Sequence, residues 1–177
     1  MTRDRLIRSR RVFDGRIIAL RLDEVETPGG RRLTYEIVEH PGAVVMVPVT
    51  ADGRVLLVRQ FRRAVAADLL ELPAGTRERG ETAEACARRE LAEEVGQEAG
   101  RWERLLAFYT APGVLSEEMH LFLAQDLRPV QAEREEEDLR IEPLPLAEAR
   151  RRIATGEIRD AKSIIGILLA AERLNVK

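Results

Sequence analysis

A run of almost uninterrupted apolar residues from position 42 to position 49 is the feature that most constrains the fold. Its sequence is Gly-Ala-Val-Val-Met-Val-Pro-Val. A strand with one face in water alternates polar and apolar side chains, whereas a strand covered on both faces is apolar along its length. The run therefore predicts a strand at the centre of a sheet.

Turn residues on either side of this run predict two β-hairpins. The first turn, Thr27-Pro28-Gly29-Gly30, separates β-branched stretches at 17–25 and 33–38, and the second, Asp52-Gly53, separates the apolar run from residues 55–58. The acidic stretch 133–138 is typical of a solvated loop. Hydrophobic spacing and cap residues predict further strands at 105–109 and 120–123, and helices at 81–96, 146–155 and 161–174.

The size and charge of the chain limit the class of protein. Its 177 residues are the length of a single domain, since domains average about 150 residues. The 29 basic and 31 acidic residues give a net charge of -2, which supplies no positive field for nucleic acid. No segment of the sequence requires a membrane. We expect a cytoplasmic protein, because no apolar leader follows the first residues and the lone Cys86 allows no internal disulfide.

Three glutamates, Glu90, Glu93 and Glu94, have the spacing that places their carboxylates on one side of a helix. Like charges at this spacing repel by roughly a few tenths of a kcal/mol per pair, so the triplet favours a bound cation. Mg²⁺ is the natural candidate, because it takes carboxylate oxygens and pairs with substrate phosphates. On these three residues alone, a surface helix with solvated acidic side chains is the alternative.

The residues around the triplet resemble the Nudix box. In order along the chain they are Gly75, Glu81, Arg89-Glu90-Leu91, Glu93-Glu94 and Gly96. One departure follows, because Gln97 stands where the family usually has an aliphatic residue. The resemblance implies an α/β fold, namely the Nudix α/β/α sandwich with a mixed central sheet and an N-terminal antiparallel strand extension.

A second feature lies outside the box, where Pro112 stands fifteen residues after Gln97. A proline at this position is characteristic of the ADP-ribose pyrophosphatase branch of that family, which the chain resembles. The likeness covers about residues 15–170, although Val114-Leu115-Ser116 departs from it. It implies that residues 1–42 form a strand extension that joins two subunits of a homodimer, and that residues 43–177 form the Nudix hydrolase domain. The stretches that carry the likeness are 35–40, 58–62, 70–75 and 158–163.

The resemblance also implies a role for each residue of the box. The carboxylates of Glu90 and Glu94, with the carbonyl of Ala74, would bind Mg²⁺ or Mn²⁺. Glu93 would share a metal ion or orient the attacking water. Glu117, in the loop after the characteristic proline, is the first choice for the general base, and the sequence does not separate it from Glu93. Three further residues would support the site structurally: Gly75, Glu81 and Arg89.

Four residues outside the box are candidates for binding substrate. Arg59 and Arg62 have planar guanidinium groups that pair with phosphate. The alternative for one of them is an ordinary surface cation that binds no substrate. Tyr35 and Glu36 resemble positions at which family dimers contact adenine and its ribose, sometimes from the partner subunit. An ordinary strand tyrosine is the alternative at position 35.

The activity implied is that of a Nudix pyrophosphohydrolase that cleaves ADP-ribose to AMP and ribose 5-phosphate. The same chemistry on another nucleoside diphosphate sugar, such as GDP-mannose, is the alternative within the enzyme class. A third hypothesis is a sensor that binds ADP-ribose without cleaving it. The sensor is disfavoured because the glutamates of the box are intact and the length leaves no room for a DNA-binding module.

Overall fold

The computed structural model describes residues 3–132 and 139–176, so the predicted acidic loop at 133–138 lies outside the described residues. The chain forms two compact units. The first comprises residues up to Gly42 together with Tyr109–Glu118, and the second comprises Ala43–Phe108 and the residues from Met119 onward. In the described part of the chain, no helix has the length and hydrophobicity needed to cross a bilayer.

The first unit contains an antiparallel sheet of three strands in the order β1 (Arg5–Asp14), β2 (Ala19–Glu26) and β3 (Arg32–Glu39). The predicted hairpin between β2 and β3 is confirmed, and Gly30 closes its turn with a φ of 79° and a bond from its N–H to the carbonyl of Thr27. Most of β1 was missed by the sequence analysis. All ten of its residues are exposed, so it lacks the buried, alternating pattern that marks a strand.

The second unit is built around β4 (Ala43–Pro48), which is buried at every residue. It pairs antiparallel with β7 (Ala74–Thr76) and parallel with β9 (Glu118–Pro129), and β8 (Gln97–Tyr109) lies beyond β9. The sheet is therefore mixed. The prediction that the apolar run forms a central strand is confirmed.

The other predicted hairpin, at Asp52-Gly53, is not formed as a strand pair, because the strand after the turn belongs to a second sheet. Here β5 (Arg54–Arg62) lies between β6 (Ala67–Glu71) and β10 (Arg140–Pro145). The predicted turn does reverse the chain, since the N–H of Gly53 donates to the carbonyl of Thr50 at 3.0 Å. However, within the described residues β4 and β5 form no ladder, and the chain makes only an isolated bridge between Val49, the residue after β4, and Val55, because each strand finds both of its neighbours within its own sheet.

Helices cover β4 from two sides. Val44 and Met46 share a buried cluster with Cys86 and Leu91 of α1 (Ala83–Val95). Val45 and Val47 share the other cluster with α2 (Leu146–Ala154) and α3 (Ala161–Arg173). Because alternate side chains of a strand point to opposite faces, the sheet lies between helices, as the α/β/α sandwich requires. All three helices confirm the predicted ones within a few residues at each end.

The ends of α1 are fixed by its own sequence. The side chain of Thr82 accepts a hydrogen bond from the N–H of Ala85, which is the usual role of an N-cap threonine. At the other end Gly96 adopts a φ of 65°, a left-handed conformation that glycine takes without strain. These two caps determine where the helix begins and ends, so that its glutamates all lie within it.

Candidate active site

Arg89 joins three of the acidic side chains into one cluster. Its Nε donates to Glu81 Oε1 at 3.0 Å, and its Nη1 donates to Glu90 Oε1 at 2.8 Å and to Glu93 Oε2 at 2.9 Å. Because one nitrogen atom binds both Glu90 and Glu93, these carboxylates lie side by side on the helix, as their spacing indicates. The hydrogen bonds from Arg89 are also the main reason that the pKa of Glu81 falls to about 2.

Glu90 packs against the backbone of Gly75. A Cβ atom built at position 75 would lie 1.9 Å from Cδ and 2.0 Å from Oε1 of Glu90, so only glycine leaves space for this carboxylate. Gly75 is held in β7 opposite Val44 of β4. Burial raises the pKa of Glu90, and Arg89 opposes that shift, so the ionised carboxylate gains from any nearby cation.

The carboxylate of Glu94 contacts Ala74, the residue before Gly75 in β7. The N–H of Ala74 donates to Glu94 Oε2 at 3.0 Å. The structure thus brings together the box residues that the sequence analysis singled out, around β7 and one face of α1. Among the described residues, no three histidine, cysteine or acidic side chains form a preassembled metal cluster. In this structure the guanidinium of Arg89 is the cation that Glu90 and Glu93 face.

The two candidate phosphate-binding arginines lie on β5, and each is paired with an acid in the second unit. Arg59 donates from Nη2 to Glu142 Oε2 at 2.9 Å, on the adjacent strand β10. Arg62 donates from Nε to Glu71 Oε1 at 2.9 Å and from Nη2 to Glu71 Oε2 at 2.6 Å. Both arginine side chains are about one-third exposed.

Glu71 belongs to a buried network that the sequence analysis missed. Its side chain is 1% exposed, and it also accepts a hydrogen bond from Lys162 Nζ at 2.5 Å. Lys162 in turn binds Asp160, the N-cap of α3. Ser163 Oγ accepts from the N–H of Leu72 at 2.7 Å, so α3 is tied to the segment that leads into β7. No local pattern indicates these partners, which lie 91 residues apart.

The remaining candidates lie in the first unit. Tyr35 and Glu36 are exposed on β3, and the hydroxyl of Tyr35 lies 3.4 Å from Asp4 Oδ2. Glu117 is partly buried, accepts a hydrogen bond from Thr110 Oγ1 at 2.7 Å and lies 3.6 Å from His40 Nδ1. Thr110 and His40 were not among the predicted site residues.

Comparison with known families identifies the class of protein that this fold and acidic helix define. Residues 39–164 match the model of the NUDIX domain, and the chain therefore belongs to the Nudix family of hydrolases. Residues 5–38 match a second model, the nucleoside diphosphate sugar hydrolase N-terminal domain. The resemblance inferred from the box is confirmed.

Individual relatives narrow the comparison. The chain is 37% identical over 167 residues to an ADP-ribose pyrophosphatase of Bacillus subtilis, covering 93% of this chain and 90% of the relative. It is 42% identical over 166 residues to an ADP-ribose pyrophosphatase of Mycobacterium tuberculosis, covering 92% and 80%. A GDP-mannose pyrophosphatase of Citrobacter koseri is 36% identical over 134 residues, or 70% of each chain.

A solved structure agrees in fold over nearly the whole chain. The crystal structure of an ADP compounds hydrolase superposes with a TM-score of 0.89 at 27% identity, covering 99% of this chain and 96% of the other. The predicted fold class, an α/β sandwich of the Nudix type, is therefore confirmed.

Proposed function

We propose that this chain hydrolyses the phosphoanhydride bond of ADP-ribose, giving AMP and ribose 5-phosphate, with Mg²⁺ or Mn²⁺ as cofactor. The observation that carries the proposal is the position of Glu90, which packs against Gly75, is partly buried and lies on the same helix face as Glu93. Relatives named ADP-ribose pyrophosphatase, similar over most of the chain, support the choice of substrate.

The residues present fit a divalent cation, a cofactor that Nudix hydrolases generally use. Glu90 and Glu94 offer carboxylate oxygens beside β7, and the carbonyl of Ala74 adds a third hard oxygen; Glu93 would share an ion or orient water. Partial burial disfavours the charged form of Glu90, and a bound cation would offset this cost by stabilising the carboxylate. When bound, such an ion neutralises phosphate charge and makes water a better nucleophile.

The remaining steps fall to side chains of this chain. Glu117 is proposed as the general base that takes the proton of the attacking water, with Glu93 as the alternative. Arg59 and Arg62 would bind the diphosphate, since a guanidinium that already donates two bonds to a carboxylate is fixed in orientation. Tyr35 and Glu36, both exposed, would contact the adenine and ribose.

Hydrolysis of a substrate panel with Mg²⁺ tests the proposal. We expect the highest kcat/KM for ADP-ribose, with AMP and ribose 5-phosphate identified by chromatography. Glu94→Gln should lower kcat roughly 100-fold or more, because a neutral amide is a poor ligand for a hard divalent ion. Glu84→Gln is the control, since among the described residues this exposed glutamate of the same helix pairs only with Arg88. Binding of ADP-ribose by the wild type without any turnover would contradict the proposal.

Another nucleoside diphosphate sugar is the second candidate substrate. It is favoured by the match to the nucleoside diphosphate sugar hydrolase N-terminal domain and by the GDP-mannose pyrophosphatase among the relatives. The chemistry at the phosphoanhydride is the same, so the panel separates the two. Turnover of GDP-mannose at a rate equal to or above that of ADP-ribose would assign the chain to this second activity.

We also propose that the protein is a homodimer joined through residues 1–42, with residues 43–177 as the hydrolase domain, and that it works in the cytoplasm. The first unit exposes large apolar side chains, including Leu6 and Phe13 on β1 and Ile17 in the turn before β2, which are 55%, 56% and 47% exposed. In the proposed dimer the partner subunit would cover these side chains, and removal of their apolar surface from water would favour association. The only cysteine, Cys86, is buried and forms no disulfide, as suits a cytoplasmic protein.

Light scattering tests the dimer. We expect a particle of about 40 kDa, twice the 20.0 kDa of one chain. Phe13→Asp should shift the population toward the monomer, because a carboxylate in an apolar interface is costly to bury. Val65→Asp, at a 60% exposed apolar residue of the second unit, serves as the control and should leave the mass unchanged. A 20 kDa wild-type particle would overturn this proposal.

A further inference from the structure

Thr110 makes two contacts with Glu117 across the base of one loop. Its N–H donates to the carbonyl of Glu117 at 3.4 Å, and its hydroxyl Oγ1 donates to the carboxylate Oε2 at 2.7 Å. The second bond is short and charge-assisted, and such bonds are roughly twice as strong as neutral ones. One residue thus fixes both the backbone and the side chain of Glu117.

The other carboxylate oxygen of Glu117 is left to accept a proton. This oxygen, Oε1, lies 3.6 Å from Nδ1 of His40. That nitrogen accepts a hydrogen bond from the N–H of Gly42 at 3.1 Å, so in the neutral ring the proton is on Nε2 and Nδ1 has none to donate. Over residues 3–132 and 139–176, Thr110 is the one side chain that donates a hydrogen bond to this carboxylate.

The loop between Thr110 and Glu117 is itself anchored to β3. The N–H of Val38 donates to the carbonyl of Val114 at 2.7 Å, and the N–H of Ser116 donates back to the carbonyl of Val38 at 2.9 Å. The side chain of Ser116 accepts a further bond from the N–H of His40 at 3.0 Å. These bonds continue the first sheet by one short parallel bridge, which leaves little freedom for the backbone at position 117.

We propose that Thr110 is a positioning residue that holds the Glu117 carboxylate by one oxygen, with the β3-anchored loop as its frame, so that the other oxygen meets the attacking water. The inference rests on the proposed function, in which Glu117 is the general base. A base that is held in one rotamer stays in the geometry that proton transfer requires. A misplacement of about 1 Å lowers the rate by about 100-fold.

Steady-state kinetics with ADP-ribose and Mg²⁺ on two variants of the full-length protein tests the inference. Thr110→Val preserves the shape of the side chain and removes its donor, so we expect kcat to fall roughly 10-fold or more, with KM within about 2-fold of wild type. Thr110→Ser keeps the hydroxyl and should restore kcat to within about 3-fold of wild type. Thr155→Val, which removes a local bond at the end of α2, is the matched control and should be unchanged.

Three companion measurements separate this inference from the proposed function. Mn²⁺ binding by calorimetry and thermal unfolding should match wild type in Thr110→Val, since Thr110 is not a proposed metal ligand. Glu117→Gln should lower kcat by about 100-fold or more, as expected for a lost general base. If Glu117→Gln is impaired while Thr110→Val is fully active, the positioning role is wrong and the proposed function stands.

Equal losses in Thr110→Val and Thr110→Ser would likewise overturn the positioning role, because the hydroxyl would then not be the group that matters. Wild-type activity in Glu117→Gln would contradict the role of Glu117 as general base, and with it this inference. A fall in kcat in Thr110→Val, rescued by serine and absent in Thr155→Val, supports it.

Discussion

Gly75→Ala should lower kcat by about 100-fold or more while leaving the protein folded. The new methyl group would lie 1.9 Å from Cδ and 2.4 Å from Cγ of Glu90, so the glutamate side chain must leave its position. A displacement of about 1 Å in a catalytic group is enough for a 100-fold loss. The same displacement should weaken Mn²⁺ binding, measured by titration calorimetry, since Glu90 is a proposed ligand.

The fold should survive this substitution for two reasons. Gly75 is not among the glycines with a positive φ, so alanine fits its strand conformation. The atoms that it would meet belong to the side chain of Glu90, which can change rotamer at the cost of its bond to Arg89, and not to the backbone. Gly29→Ala is the matched control, because the nearest atom to its added methyl is 3.9 Å away. A Gly75→Ala enzyme with wild-type kcat and Mn²⁺ affinity would contradict the role given to Glu90.

The elements that the sequence predicted well are those whose signals are local. The central strand was predictable because residues 43–48 are buried on both faces, which leaves a continuous apolar run. The acidic helix was predictable because Thr82 and Gly96 cap it and its glutamates recur at helical spacing. The contact of Arg89 with Glu93, four residues away, follows from that spacing, whereas its contact with the adjacent Glu90 does not.

The elements that the sequence did not predict depend on partners that are distant in the chain. Strand β1 is exposed throughout and is recognised only by its pairing with β2. The turn at 50–53 is local, but the choice of β6 and β10 as neighbours of β5 is not, and so the predicted hairpin was wrong. The pairing of Glu71 with Lys162 has no local pattern either, because it is made by the docking of α3.

Glu71→Gln should destabilise the protein by about 3–5 kcal/mol, which is the usual cost of breaking a buried ion pair from one side. Glutamine keeps the shape of the side chain and removes its charge, which leaves the ammonium of Lys162, 11% exposed, without its main partner. Thermal unfolding should show a fall in Tm of about 10 °C for a domain of this size. Glu84→Gln is the control, because its exposed pair with Arg88 is worth about 0.5 kcal/mol or less.

The pH dependence of this difference gives an independent test of Glu71. Burial alone would raise the pKa of its carboxyl group, but the hydrogen bonds and charges of Arg62 and Lys162 outweigh burial and bring the pKa below its ordinary value of 4.5. A carboxylate whose pKa is depressed by folding contributes stability that is fully present well above pH 4.5 and is lost as the pH falls through the folded pKa. The gap in Tm between wild type and Glu71→Gln should therefore be widest near neutral pH and should narrow on acidification below about pH 4.5. A gap that stayed constant down to pH 3, or no gap at pH 7, would mean that Glu71 is not held as a carboxylate between Arg62 and Lys162.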